Sequence, residues 1–190
     1  MAMRLQELHP SLVHFPIALL PTTIVADMVG RMRGDPVLLE IGRRGIKLVA
    51  ASAVLTGLTG VIAQEEVRAT GKAHDLLVTH RTLNVALTLT AIMMARHRAR
   101  RRRPSLRYLL LGMAGAGVMS YSAYLGGKMV YEHGVGVVAA GGTEPGLPPE
   151  VRPDNLAEVA QHSAGDIGRG LRHAAEDMMH GDVVPALTGG

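Results

Sequence analysis

The sequence predicts an all-α protein: a four-helix transmembrane bundle with both termini outside and a short amphipathic helical C-terminal tail. Three observations carry this. Apolar runs at 11–30, 45–63, 76–95 and 106–127 are each about 20 residues long, enough for a helix rising ~1.5 Å per residue to cross a ~30 Å hydrocarbon core. Few charges fall inside them, and none of the four has the continuous polar face that a soluble bundle needs. Arginine and lysine crowd into two of the connections, while the last 50 residues are polar and pull the mean hydropathy down to +0.19.

The first run, within HPSLVHFPIALLP (9–21), carries Pro16 and Pro21, each of which removes a backbone donor and bends a helix. The kink is expected to free carbonyls near His14, with Thr22, Thr23 or an internal water to satisfy them. Glu7 and His9 interrupt the order of a signal peptide and no small-x-small site follows, so this run is expected to be retained as a span. The second run offers a polar row, Ser52, Thr56 and Thr59. The third offers His80, Asn84 and Thr88 at i, i+4 and i+8, and the fourth Ser120, Tyr124 and Lys128. Each row lies on one helix face and is expected to point into the bundle, since lipid cannot satisfy it. Gly57, Gly60, Gly112, Gly115 and Gly117 permit close helix approach, or leave room for a flat ligand.

Orientation follows from the basic residues. The connection after the first run holds Arg31, Arg33, Arg43, Arg44 and Lys47, and that after the third holds RHRARRRR (96–103) and Arg107. The connection between them, QEEVRATGKAHD (64–75), has only Arg68 and Lys72 against three acids. The two basic connections are therefore read as cytoplasmic and both termini as extracytoplasmic, in a bacterial inner membrane. The arginine run is a topology signal touching anionic lipid rather than a nucleic-acid site.

On that topology five of the nine histidines, His9, His14, His74, His80 and His133, gather at the outer face, from three different helix ends. Three readings stay open. In the first, b-type haem sits between helices with His14 and His80 as axial ligands, His9 or His133 as alternates, and Asn84 beside it. In the second, a zinc, iron or copper ion is held without haem by His9, His14, His80 and His133, with Glu132 as a further donor; imidazole suits all three metals. In the third, the chain is a non-catalytic membrane subunit or scaffold whose histidines bond to water and helix ends. With no cysteine, disulfides, thiolate-held iron–sulfur clusters and CxxCH haem attachment are excluded. No phosphate loop, nucleophile elbow or HExxH occurs, so an enzyme by itself is not expected. Expected partners are the lipid bilayer, a membrane or periplasmic redox partner and a second copy of the chain.

Four stretches carry a resemblance: HPSLVHFPIALL at 9–20, TGL at 56–58, HRTLN at 80–84 and YLGGKMVYEHGVGV at 124–137. Together they resemble the bacterial membrane-protein family catalogued as domain of unknown function 2231, over roughly residues 8–138. The resemblance implies four membrane helices. Because some relatives are joined to a Rieske iron–sulfur domain, it also implies electron transfer near the outer membrane face. His80 and Asn84 match the family's recurrent H-x-x-x-N. The chain departs from several relatives in carrying Lys128 in place of histidine and His14 in place of an acid.

The expected organisation is a bundle over 1–140, a Gly/Pro-rich linker over 141–155 and an amphipathic extracytoplasmic tail over 156–190. In the tail, Ile167, Leu171, Ala174 and Met178 recur at helical spacing, as for a lid lying on the bundle or the membrane surface. His173, Asp177 and His180 stand at i, i+4 and i+7, a spacing open to a metal ion, with a solvated polar face as the plain alternative.

Overall fold

The computed structural model describes residues 3–144 and 150–188. In chain order its elements are β1 (Met3–Arg4), α1 (Leu5–Leu12), α2 (His14–Arg33), α3 (Pro36–Glu65), α4 (Lys72–Ala99) and α5 (Leu106–His133). A 3-10 turn (Val138–Ala140), β2 (Glu150–Val151), α6 (Leu156–His180) and α7 (Pro185–Thr188) follow. Four helical stretches are long and apolar enough to cross a membrane: Leu5–Arg33, Pro36–Glu65, Lys72–Ala99 and Leu106–His133. The fold is all-α, as the apolar runs predict, with helices that continue beyond those runs into polar flanks. The expected 141–155 linker lies partly outside the described residues.

The first span is interrupted at Val13, between α1 and α2. Pro16 has no N–H to give to the carbonyl four residues back, so helical bonding resumes only with Ile17 N–H donating to Val13 O at 3.3 Å. Pro21 lies inside α2, where Thr22 Oγ1 donates to Ala18 O at 2.8 Å.

The chain divides into two compact units. The first comprises Met1–Ser11, Thr56–Thr82 and Ser122–Gly190; the second comprises Leu12–Leu55 and Leu83–Tyr121.

In the second unit, α2, α3, α4 and α5 pack through Leu20, Ile24, Ile46, Val49, Met94 and Leu109, all buried. Close approach depends on glycine: a Cβ at Gly112 would come within 2.2 Å of Ile24, and one at Gly42 within 2.3 Å of the Asp27 carboxylate. Asp27 and Arg98 are both fully buried and bonded to each other, Nη2 to Oδ1 at 2.7 Å and Nε to Oδ2 at 3.0 Å. The same guanidinium also donates to Leu39 O at 2.8 Å and Arg101 O at 2.5 Å. Arg98 therefore departs from the expected role of this arginine run: it continues α4 and neutralises an acid on α2 instead of facing lipid.

In the first unit, Leu5, Ile62 and Val159 bring α1, α3 and α6 to one small core, with Leu8, Val151 and Ile167 packed against it. β1 pairs antiparallel with β2, Met3 opposite Val151 and Arg4 opposite Glu150. The GVGV stretch after α5 makes a tight turn. Gly134 (φ 66°) and Gly136 (φ 77°) take left-handed conformations that other residues disfavour. Val135 N–H bonds back to Met129 O at 3.0 Å, closing the helix end. The turn then grips the α3–α4 connection: Arg68 N–H donates to Gly142 O at 3.0 Å and Glu144 N–H to Glu66 O at 3.2 Å.

α6 is one 25-residue helix. Its inward residues are Val159, Asp166 and Gly170, with Ile167 partly covered. Leu171 and Met178 of the expected apolar row are exposed. A Cβ at Gly170 would come within 2.7 Å of Val61 and 3.1 Å of its carbonyl, so the backbone of α6 approaches α3 directly there. Beyond α6, buried Thr79 on α4 accepts the Ala186 N–H at 3.0 Å through Oγ1.

Candidate functional site

Two groupings in the first unit concentrate chemistry. The first is a pair of imidazoles, His9 on α1 and His80 on α4. Their ring centroids are 6.2 Å apart and their planes are perpendicular, at 89°. His9 Nδ1 lies 3.0 Å from Thr56 O, and His80 Nδ1 lies 2.8 Å from Ser122 O and 3.0 Å from Ser122 Oγ. A carbonyl only accepts, so Nδ1 carries the proton in each ring and the neutral imidazole's lone pair is on Nε2.

The same local device seats both rings. Thr56 and Gly60 are one turn apart on α3, and Ser122 and Gly126 one turn apart on α5. A Cβ at Gly60 would reach 3.0 Å from the His9 ring, and one at Gly126 would reach 3.4 Å from the His80 ring. Each imidazole thus lies over bare backbone, close enough to bond the carbonyl one turn earlier. Sequence reasoning singled out Gly60 and the polar residue Thr56 separately. The signal it lacked is their pairing, T-x-x-x-G and S-x-x-x-G, on two spans.

The second grouping lies where α6 crosses the end of α3. Glu66 Oε1 is 2.5 Å from His162 Nε2, and Asp166 Oδ2 is 3.5 Å from the same nitrogen. One ligand atom from each of these three residues lies within 4.8 Å of the others. Glu66 and Asp166 are buried, and His162 opens to solvent. Arg169 bonds to the other Asp166 oxygen, and Oδ2 is buried without a hydrogen-bond partner. Burial and the neighbouring Glu66 carboxylate push the Asp166 carboxyl up to about 6. Next to it, Glu65 is met by His173 Nδ1 at 3.0 Å and Arg169 Nε at 3.6 Å. The i, i+4 spacing of His162 and Asp166 was legible in the sequence. Their approach to Glu66, 96 residues from His162, was not.

The remaining expected residues are placed as follows. His14 is exposed on α2 and belongs to the second unit, as does partly buried Asn84. His133 is the last residue of α5 and is exposed, as is Glu132, which pairs with Lys128 at 3.3 Å. Of the polar rows, Thr56 and Thr59 are buried, whereas Ser120 and Tyr124 are exposed; the buried polar residue of α5 is Ser122. The tail row does not converge on one point. His173 goes to Glu65, Asp177 to Arg81 at 2.5 Å, and His180 to its own helix at Glu176 O. Their partners lie on three different elements: the end of α3, the body of α4 and α6 itself.

A family model described as "Predicted membrane protein (DUF2231)" matches residues 6–139. That stretch contains the four spans, but for Leu5 at the start of the first, together with both imidazoles and Glu66; His162 and Asp166 lie beyond it. No curated protein and no solved structure matches the chain. With the match covering more than two thirds of its length, the chain belongs to the DUF2231 family of membrane proteins.

Proposed function

We propose that this membrane protein transfers electrons through b-type haem held by His9 and His80, at a face that is extracytoplasmic in a bacterial inner membrane. The perpendicular imidazole pair is the observation that carries the reading. The two rings are neighbours, with centroids 6.2 Å apart, and each is held through Nδ1 by a backbone carbonyl, so the pair could hold a metal through Nε2. Two imidazoles are a complete protein ligand set for haem iron, whose other positions the macrocycle fills, whereas a bare zinc-like ion asks for three or four protein donors.

When bound, haem supplies one-electron exchange. The chain's own residues orient the ligands. The Thr56 and Ser122 carbonyls hold the Nδ1 protons and turn Nε2 into the coordinating atom, a second-shell arrangement typical of metal-bound histidine. Gly60 and Gly126 allow the rings to sit that close to the helix backbones. Both rings are partly covered by the surrounding helices. The electron partner is a protein reached from the same face, in keeping with the Rieske-linked relatives of the family.

One observation favours a second reading, a scaffold without cofactor: the same two carbonyl bonds already satisfy a nitrogen of each ring. An absorption spectrum of detergent-purified protein from haem-supplied cells, before and after dithionite, separates the two. The haem reading expects a Soret band that sharpens on reduction, is lost in His9→Ala and His80→Ala, and persists in His14→Ala. A flat visible spectrum overturns it, as does a band that His80→Ala leaves intact.

A further inference from the structure

The geometry points to a divalent metal site, separate from the imidazole pair, formed by Glu66 at the end of α3 with His162 and Asp166 on α6. We propose that it takes a first-row transition ion such as Zn²⁺ and fastens α6 to the spans.

Four observations support it. The donor atoms converge: one imidazole nitrogen and two carboxylate oxygens lie within 4.8 Å of one another, the scale on which ligands surround one ion. His162 and Asp166 are one helical turn apart, so both point from a single face of α6 toward Glu66. Asp166 Oδ2, fully buried and with no hydrogen-bond partner, lies 3.5 Å from His162 Nε2. A buried oxygen of this kind is costly unless something fills its lone pairs. Finally, the charge is unbalanced: Glu66 and Asp166 are buried acids with Glu65 beside them, and among the described residues Arg169 is the one guanidinium bonded to this group.

The donor set restricts the ion. Imidazole with two carboxylates suits zinc, iron and manganese better than calcium or magnesium, which take all-oxygen shells. Binding needs the Nε2 lone pair, so the ring carries its hydrogen on Nδ1 when an ion is held and the 2.5 Å contact to Glu66 Oε1 gives way to the two metal bonds. The half-exposed His162 ring leaves an entry path from solvent.

Two of the three ligands lie outside the stretch shared with the family. The site is therefore a property of this chain's tail, and it stands whether or not the imidazole pair holds haem.

The test uses the full chain in detergent, stripped with EDTA and titrated calorimetrically with ZnCl₂ in two buffers of different ionisation heat. One Zn²⁺ per chain is expected, along with slower proteolytic cleavage within α6. Glu66→Gln and Asp166→Asn, which preserve side-chain volume, should each remove the binding step. His162→Ala should do the same, and His180→Ala should keep it. Far-UV circular dichroism confirms that each variant is folded. Binding that survives Glu66→Gln and Asp166→Asn in folded protein overturns the proposal, and so does no stoichiometric binding to the wild-type chain. His80→Ala should leave the Zn²⁺ step intact while abolishing any Soret band, so the two proposals fail separately.

Discussion

Each unit of this protein buries carboxylates, and the two treat them differently. In the second unit Asp27 meets Arg98 through three nitrogen–oxygen contacts between 2.7 and 3.1 Å, and the guanidinium spends its other donors on backbone carbonyls. Charge and hydrogen bonds are both closed. In the first unit Glu65, Glu66 and Asp166 share one guanidinium and two imidazoles, and one carboxylate oxygen has no hydrogen-bond partner. The difference is instructive: a balanced buried pair is a structural fastener, while an unbalanced one at a solvent-accessible helix junction has capacity left for an ion or a proton.

The largest expected effect comes from breaking the balanced pair. Arg98→Ala leaves Asp27 buried without its partner and should cost about 3–5 kcal/mol, read as a lower unfolding midpoint in detergent. Replacing both residues together with apolar side chains should recover most of that loss. If the single variant unfolds no earlier than wild type, the pair is not the fastener described.

A smaller effect is expected where α6 rests on α3. Gly170→Ala pushes a methyl group against Val61 and its carbonyl. Overpacking of this kind costs about 1–3 kcal/mol, offset by up to ~1 kcal/mol from alanine's better helix propensity. Hydrogen exchange should show α6 losing protection while the segment around Asp27 keeps its own. Equal loss in both would mean that the two regions are not distinct.

The smallest effect is a pH dependence of the unbalanced cluster, measured in EDTA. Asp166 is raised from its ordinary 3.8 to about 6, first by burial and then by Glu66. Its neutral form is the one the docked helix favours, so its contribution is complete below pH ~3.8 and is lost as pH rises through about 6. Glu66 faces it from just beyond α3, and His162 and Arg169 from its own helix. Protection of α6 should fall over that interval in wild type and stay level in Asp166→Asn. An unchanged profile in the variant would assign the pH response to another group.

Much of this was legible in the chain. The four spans follow from apolar length, because a helix in lipid must satisfy its own backbone and needs a fixed number of residues to cross. His80 drew attention as the histidine of a polar row, and of the glycines in the apolar runs Gly60 and Gly112 do meet a neighbouring helix closely, whereas Gly117 faces open space. The positions that sequence reasoning misplaced are those whose role depends on a distant partner. Arg98 reads as one more arginine of a basic run until Asp27 meets it from another helix. Tyr124 reads as a bundle-facing polar residue, yet α5 is rotated so that Ser122 is buried and Tyr124 is exposed. In the tail, the apolar row through Leu171 and Met178 faces out, because α6 approaches α3 through Gly170.

By itself, then, the sequence determined the class of the protein, the number of its spans and the residue types available for chemistry, all set by local hydropathy and covalent pattern. Tertiary structure alone decided that His9 rather than exposed His14 pairs with His80, and that Glu66 meets His162 and Asp166. The physical reason is that hydropathy acts along a single helix. Which nitrogen faces which oxygen depends on helix rotation and close approach, and these are fixed by glycines and carbonyls on neighbouring helices.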